Sequence, residues 1–205
     1  MKKAILTIFA FCSALTLAAQ APDAPQYPES GIKPFELGIW GGLASSYISL
    51  PTAGLHTDAR CGWSGGLTAQ FNTRSLGFRL AAEFDDLYSR FPDEENLYGG
   101  SMRFNEKAVT VPLNILLETQ EGGPIRGYVG LGGFYRRALD CGFKTAGPSY
   151  TVRPDQWGWQ WILGYKMGHV AIELESRWQI GRLFEGATDP TARLNATSIK
   201  LGYIF

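Results

Sequence analysis

The chain ends in Asn195-Ala196-Thr197-Ser198-Ile199-Lys200-Leu201-Gly202-Tyr203-Ile204-Phe205, and the alternation within this stretch decides the fold. Side chains of a β-strand point alternately to opposite faces, so every second residue shares a face. One face of this stretch is largely apolar: Thr197, Ile199, Leu201, Tyr203 and Phe205. The other face is mixed: Ala196, Ser198, Lys200, Gly202 and Ile204. A period of two with one apolar face predicts a strand rather than a helix.

Seven earlier stretches repeat this alternation. The clearest is 76–85, where a large or apolar residue recurs at every even position from Leu76 to Phe84. Most of these stretches have about the 9 to 11 residues that a tilted strand needs to cross a bilayer. The eight predicted strands are 35–47, 60–72, 76–85, 106–118, 126–137, 157–166, 170–180 and 195–205.

Composition supports a single all-β domain. A length of 205 residues suits one sandwich or barrel. The chain is 19% charged and 13% aromatic and has 25 glycines, which favours short strands joined by tight turns. The formal charge is zero and no basic cluster is present, so we expect no nucleic-acid partner. No apolar run of helix-spanning length follows the N-terminal region.

The N-terminus has the features of an export signal. Lys2 and Lys3 precede an apolar run, 4–17, which is followed by the small residues Ala18 and Ala19. This pattern predicts a secretory signal peptide at 1–19. Four prolines within 20–34 predict a Pro-rich periplasmic leader, which leaves 35–205 as the barrel domain.

The connections between predicted strands alternate between long and short. Those after the first, third, fifth and seventh strands are long, and the others are short. In outer-membrane barrels the short turns lie in the periplasm and the long loops lie outside. An even number of strands also brings both ends of the barrel domain to the periplasmic side.

Alternation alone does not say whether the apolar face meets lipid or a core, because a soluble lipocalin-like barrel has the same period with the apolar side inward. The mixed face favours lipid outside, since it carries charges of both signs that could pair in a closed interior. We therefore expect an interior charge network of Glu36, Arg79, Glu83, Glu118, Glu173, Glu175, Arg177 and Lys200, with Asp85 and Lys166 on the same face.

Aromatic residues on the apolar face concentrate near the strand ends, as in the two interfacial girdles of membrane barrels. The predicted periplasmic girdle contains Phe71, Tyr165, Tyr203 and Phe205. The predicted outer girdle contains Trp63, Phe84, Trp157 and Trp178. The sequence therefore predicts an eight-stranded antiparallel up-and-down transmembrane β-barrel in the outer membrane of a Gram-negative bacterium.

Two resemblances refine this prediction. The terminal Tyr203 and Phe205 resemble the C-terminal assembly signal of Gram-negative outer-membrane barrels. The whole chain from about Phe35 resembles the PorT-like outer-membrane barrels, a likeness carried by Ala19-Gln20, Val111-Pro112-Leu113, Tyr128-Val129-Gly130, Gly132-Gly133, Glu173 through Arg177, and Leu201-Gly202-Tyr203. The resemblance implies this architecture and accounts for Pro112 within a strand. Because the name-giving member is associated with a type IX secretion apparatus, it also implies an accessory role in secretion.

The leading functional hypothesis is a non-enzymatic structural or interaction role. Eight strands leave an interior that side chains fill, which favours a salt-bridged plug over a pore. The first alternative is an enzyme similar to the barrels that modify lipid A, which need a His with Ser and an acid near the outer rim. His56 lies near Ser49 and Asp58 in the first outer loop, whereas His169 lies at the periplasmic end. The second alternative is a soluble lipocalin-like carrier.

The remaining expectations concern the histidines, the cysteines and the partners. We expect no catalytic, cofactor or metal site, since neither His has ligands at metal spacing beyond His56 with Asp58. Cys61 and Cys141 both fall near the outer surface of an exported protein, so they could form a disulfide. The expected partners are outer-membrane lipid and lipopolysaccharide, the barrel-assembly machinery, and secretion or envelope proteins.

Overall fold

The computed structural model describes residues 33–50, 55–73, 76–90, 103–119, 125–143, 151–185 and 192–205. The predicted signal peptide and the leader as far as residue 32 lie outside the described residues. Within those ranges, no helix is long and apolar enough to cross a membrane.

Eight long strands form the fold. They are β1 (Phe35–Leu50), β2 (Asp58–Asn72), β3 (Leu76–Arg90), β4 (Arg103–Glu118), β5 (Ile125–Phe143), β6 (Asp155–Met167), β7 (Val170–Gln179) and β8 (Arg193–Ile204). Three strands of two residues accompany them. Leu55–His56 pairs with the end of β1, and Thr151–Val152 pairs with Phe184–Glu185.

The eight strands close into a barrel. Each strand pairs antiparallel with its neighbour in sequence, and β1 also pairs with β8 in a ladder that runs from Gly38 opposite Ile204 to Ser49 opposite Arg193. In the described residues each of the eight long strands therefore has a paired neighbour on both sides, which is the condition for placing strands in hydrocarbon. The predicted fold class is confirmed.

The period of two sorts the side chains between the two surfaces of the wall. On β4, Leu113 is 59% exposed and its neighbour Asn114 is 1% exposed. On β8, Ile199 is 59% exposed and Lys200 is 1% exposed. The apolar residues therefore form the outer surface and the polar residues fill the bore, which is the reverse of a water-soluble barrel.

The strands extend further than predicted at the end of the barrel that carries the long connections, which we call the outer end. β3 continues to Arg90 and β5 to Phe143, and parts of the predicted loops 139–156 and 184–194 are strand. Two β-bulges explain why the predicted strands are shorter than the observed ones. The register shifts between Ala59 and Trp63 and again between Lys107 and Ala108, and such bulges interrupt the period that sequence reading follows.

Two residues show local backbone constraints. Pro112 has no amide hydrogen, and the ladder between β3 and β4 skips from Leu113 to Thr110 around it. At the opposite end of the barrel, which we call the turn end, Gly168 has φ of 61° in the tight connection between β6 and β7. That left-handed conformation favours glycine.

Candidate functional site

The bore of the barrel holds the densest collection of functional groups. Among the described residues it contains seven buried carboxylates and five buried cations. The carboxylates are Glu36, Glu83, Asp85, Glu106, Glu118, Glu173 and Glu175; the cations are Arg79, Arg136, Lys166, Arg177 and Lys200. Because ions in a closed interior need partners, we expect each of these groups to meet an opposite charge.

Lys166 organises the turn end of the bore. Its Nζ lies 2.7 Å from Glu36 Oε2 on β1 and 2.7 Å from Glu118 Oε1 on β4. Gln70 donates a hydrogen bond of 2.5 Å to the same Glu118 oxygen. One cation thus links three strands, β1, β4 and β6.

Arg79 forms the next level. Its guanidinium donates to Glu173 on β7, and its Nε donates to Gln70 Oε1 at 3.0 Å. The guanidinium carbon lies 5.2 Å from the ring centre of Trp40 and 5.0 Å from that of Tyr128. Two aromatic faces at this range stabilise a desolvated cation.

Glycine makes room for this level. Trp40 on β1 is in register with Gly202 on β8, and a Cβ at Gly202 would lie 2.5 Å from the Trp40 ring. A hydrogen bond holds the second aromatic residue beside Arg79, since the Tyr128 hydroxyl donates to Glu173 at 2.9 Å. The position of Trp40 beside Arg79 therefore depends on the absence of a side chain at Gly202.

Arg177 and Lys200 share the acids of the middle level. Lys200 Nζ lies 2.8 Å from Glu83 and 3.1 Å from Glu175. Arg177 contacts Glu83, lies 2.5 Å from Glu175 and donates to Asp85 Oδ2 at 2.8 Å. Five ionisable side chains from β3, β7 and β8 therefore form one continuous cluster.

Arg136 completes the network toward the outer end. Its Nη2 lies 3.6 Å from Asp85 and its Nη1 lies 3.8 Å from Glu106, and its Nε donates to Thr110 at 3.2 Å. Gln156 donates to Glu106 at 2.8 Å. Glu106 and Arg136 were absent from the predicted network, although both lie on the inward-facing side of predicted strands. Strand parity alone could have identified them.

The interactions between β3 and β7 cross the bore. Four strand steps separate these strands in either direction around the eight-stranded wall, so they are diametrically opposite. Arg79 on β3 contacts Glu173 on β7, and Arg177 on β7 contacts Glu83 and Asp85 on β3. Paired side chains therefore occupy the space through which a solute would have to pass.

An apolar cluster covers the outer end of the bore. It combines strand residues with Leu183 and Phe184, which follow β7. The rings of Phe184 and Phe104 on β4 pack edge to face, with their centres 6.3 Å apart. The backbone amide of Arg153 donates a hydrogen bond of 2.9 Å to the Leu183 carbonyl. The pairing of Thr151–Val152 with Phe184–Glu185 holds these connections over the opening. The network is thus screened from the outer side by apolar side chains.

The two histidines are far apart in the fold. The backbone at His56 pairs with Ser49 at the outer end. His169 lies in the turn before β7, where its Nδ1 is 2.6 Å from the Ile204 carbonyl and its ring stacks on Tyr203 at 5.6 Å. Within the described ranges, no group of three His, Cys, Asp or Glu residues is arranged to hold a metal ion.

The considered disulfide is not formed. Both cysteines are free, with Cys61 exposed on β2 and Cys141 half-buried on β5. β3 and β4 lie between these strands. Three interstrand spacings of roughly 4.8 Å exceed the Cα separation of about 7 Å that a disulfide spans. Burial, reinforced by the charges of Glu106 and Asp140, raises the pKa of the Cys141 thiol.

The predicted girdle residues point outward. Trp63 and Phe84 pack with ring centres 5.3 Å apart, and Trp159 stacks on Trp178 at 4.3 Å. At the turn end, Tyr203 and Phe205 are exposed and lie 5.3 Å apart. Trp159 joins this outer aromatic surface without having been predicted in it.

No protein-family model matches the sequence, and no curated protein matches it significantly. Solved structures with the same fold exist. The outer membrane protein OprG from Pseudomonas aeruginosa is 18% identical, with a TM-score of 0.52, and the match covers 83% of this chain and 95% of OprG. Neisserial surface protein A is 15% identical, with a TM-score of 0.50 and coverage of 82% and 97%. Together with the apolar exterior, this fold places the chain in the outer membrane as an integral β-barrel.

Proposed function

We propose that this outer-membrane barrel has a non-enzymatic structural or interaction role, in which a rigid, plugged wall presents its loops to other molecules. The observation that carries the proposal is the set of ion pairs across the bore between β3 and β7. A channel needs a continuous opening, whereas these side chains meet at its centre. Ion pairs in such a low-dielectric space also resist separation.

Planar-bilayer recording tests the plugged bore. We expect the purified, folded protein to produce no stable open-channel currents. The matched comparison is a variant with Arg79 and Arg177 both changed to Ser, which removes the cations that cross the bore. Stable, stepwise conductance of the unmodified protein would contradict the proposal.

We propose further that the role is that of an accessory to protein secretion or envelope integrity. The resemblance to PorT-like barrels supports this idea, and the support comes from short sequence segments such as Val111-Pro112-Leu113. In the fold, these residues lie on β4 in the middle of the wall and therefore concern architecture. The partner surface would lie in the connections at the outer or turn end.

Crosslinking in intact cells tests the interaction role. A photo-reactive residue would replace Arg153, whose amide bonds to Leu183 in the apolar cluster that covers the outer end. A control variant would carry the same residue at Leu113 on the lipid-facing surface. We expect envelope or secretion proteins to be captured from the first position and not from the second. Capture of lipid alone from both positions would contradict a protein-binding role at this end.

The non-enzymatic assignment has its own test. His56 is the candidate that the lipid A-modifying alternative would need, and its backbone lies at the outer end. We expect the His56→Ala variant to leave the lipid A mass spectrum of the producing strain unchanged. A difference between the two spectra would support the enzymatic alternative instead.

We also propose that the terminal aromatic residues direct assembly by the barrel-assembly machinery. Tyr203 and Phe205 are exposed near the closing seam, where Phe205 N donates to the Leu37 carbonyl on β1 at 2.8 Å. The Phe205→Ala variant should reach the outer membrane in reduced amount, while Phe71→Ala, at another exposed aromatic residue of the same end, should not. Equal amounts of both variants would contradict this role.

A further inference from the structure

A basic cavity opens on the outer end of the wall. Its volume is about 300 Å³, and three adjacent strands each contribute one arginine to its lining: Arg60 from β2, Arg90 from β3 and Arg103 from β4. Tyr88 lies among them. Arginines in the lining of one concave surface are the side chains that an anion would need.

The strand register brings two of these cations into direct opposition. Arg90 is the cross-strand partner of Arg103. Like charges directly opposite one another destabilise an antiparallel pair. Asp58 lies opposite Arg90 on its other side, but the structure forms no ion pair between a described carboxylate and Arg60 or Arg103. Arg60 and Arg103 are therefore the two arginines that an anion entering the cavity would meet without displacing a described carboxylate.

The buried carboxylate bonded to the lining residue Tyr88 is already engaged. Asp86 accepts hydrogen bonds of 3.0 Å from the Tyr88 hydroxyl and 3.0 Å from the Asn105 amide. The bond to Asp86, with burial as the lesser cause, raises the pKa of Tyr88, so that hydroxyl stays a neutral donor. Asp86 is therefore not an ion-pair partner of Arg60 or Arg103.

The level of the cavity relative to the bilayer indicates what kind of anion would reach it. Trp63 is in register with Asp86, and its ring packs on Phe84 to form part of the outer aromatic girdle. Tyr88 and Arg90 follow on the same strand, two and four residues after Asp86, and so lie further from the bilayer centre. Aromatic girdles mark the level of lipid headgroups, so the arginines begin where phosphate groups of the outer leaflet lie.

We propose that this cavity binds the phosphate group of an outer-leaflet lipid, as found on a phosphorylated glycolipid. The planar guanidinium group donates paired hydrogen bonds that match phosphate geometry. The acyl chains of the same lipid would run down the wall past Trp63 and Phe84. This site is additional to the proposed function and depends only on the placement of the barrel in the membrane.

Binding of diphosphoryl lipid A to the mature protein in detergent micelles tests the proposal, with native mass spectrometry as the readout. The test variant is Arg60→Gln combined with Arg103→Gln, which removes two exposed charges. The control is Arg137→Gln, because Arg137 is an exposed outer-end arginine paired with Asp155 outside the cavity. Heat-modifiable gel migration confirms that each variant is folded.

We expect the double variant to bind diphosphoryl lipid A about tenfold more weakly, and the control to stay within about twofold, since hydrogen bonds to charged groups are among the stronger ones. Lipid A from which both phosphates have been removed should bind all three proteins equally weakly. An equal loss in the control, or undiminished binding of the dephosphorylated lipid, would overturn the site.

Inorganic phosphate separates a lipid headgroup from a free ion. We expect inorganic phosphate to displace diphosphoryl lipid A only at a large molar excess, because it lacks the acyl chains that contact the wall. Displacement at concentrations equal to those of the lipid would show that the arginines select the ion alone, and would overturn the assignment to a membrane lipid.

Discussion

Arg177 on β7 donates a hydrogen bond of 2.8 Å to Asp85 on the opposite wall of the barrel. The two residues are 92 positions apart in the sequence. Asp85 also accepts hydrogen bonds from Ser64 at 2.6 Å and from Thr110 at 2.5 Å. One carboxylate thus joins β2, β3, β4 and β7, so the interior network ties together walls that share no backbone ladder.

Replacing Arg177 with Met should destabilise the barrel strongly. The substitution removes the cation that contacts all three of the buried acids Glu83, Asp85 and Glu175, and breaking a buried ion pair costs about 3–5 kcal/mol. Urea unfolding in lipid vesicles, followed by tryptophan fluorescence, measures the loss in the free energy of unfolding.

The matched control for this substitution is Arg137→Met. Arg137 pairs with Asp155 at 3.0 Å, but both side chains are more than half exposed. Exposed pairs contribute little to stability, so the free energy of unfolding should change much less than it does with Arg177→Met. Equal effects of the two substitutions would show that the interior pairs do not hold the walls.

Changing Gly202 to Ala should destabilise the level around Arg79. The new methyl group would lie 2.5 Å from the Trp40 ring and force the indole away from the guanidinium. Overpacking of this kind costs about 1–3 kcal/mol. Gly41→Ala is the control, since a Cβ there meets nothing within 4 Å. The same unfolding measurement compares them, and a smaller effect at Gly202 would contradict the observed packing.

Introducing Arg at Leu113 should be far more harmful than introducing it at Leu139. The two leucines are 59% and 58% exposed, so exposure alone predicts equal effects. Leu113 lies midway along β4, where an arginine facing the bilayer centre costs about 2–4 kcal/mol. Leu139 lies near the outer end of β5, beyond the aromatic level. Equal yields of folded protein from the two variants in vesicles would argue against a lipid-facing surface.

Cys61 should react faster than Cys141 with a thiol-alkylating reagent. The Cys61 thiol is exposed, whereas burial and two nearby acids raise the pKa of Cys141. A raised pKa leaves less thiolate at a given pH, and thiolate is the reacting form. Alkylation of Cys141 should therefore accelerate only as the pH rises above the usual titration range of a thiol. Mass spectrometry counts the modified sites, and protection of both thiols until reduction would indicate a disulfide instead.

Much of the fold is readable from local alternation. The period of two over 76–85 gives a strand, and eight such stretches with alternating long and short connections give the closed barrel. The same parity places Glu83 and Lys200 inside and Leu113 outside, because direction on a strand depends only on odd or even position. Where a bulge shifts that parity, as before Trp63, the predicted strand ends fall short of the observed ones.

The sequence alone therefore determined the strands, their number, the lipid-facing surface and the charged character of the bore. Only the tertiary structure decided which charges meet, since Arg177 and Asp85 become neighbours through barrel closure and register rather than through proximity in the chain. It also separated Cys61 from Cys141 by two strands and gathered Arg60, Arg90 and Arg103 at one cavity. Alternation is a property of each strand, whereas contacts across the bore depend on how all eight strands are staggered.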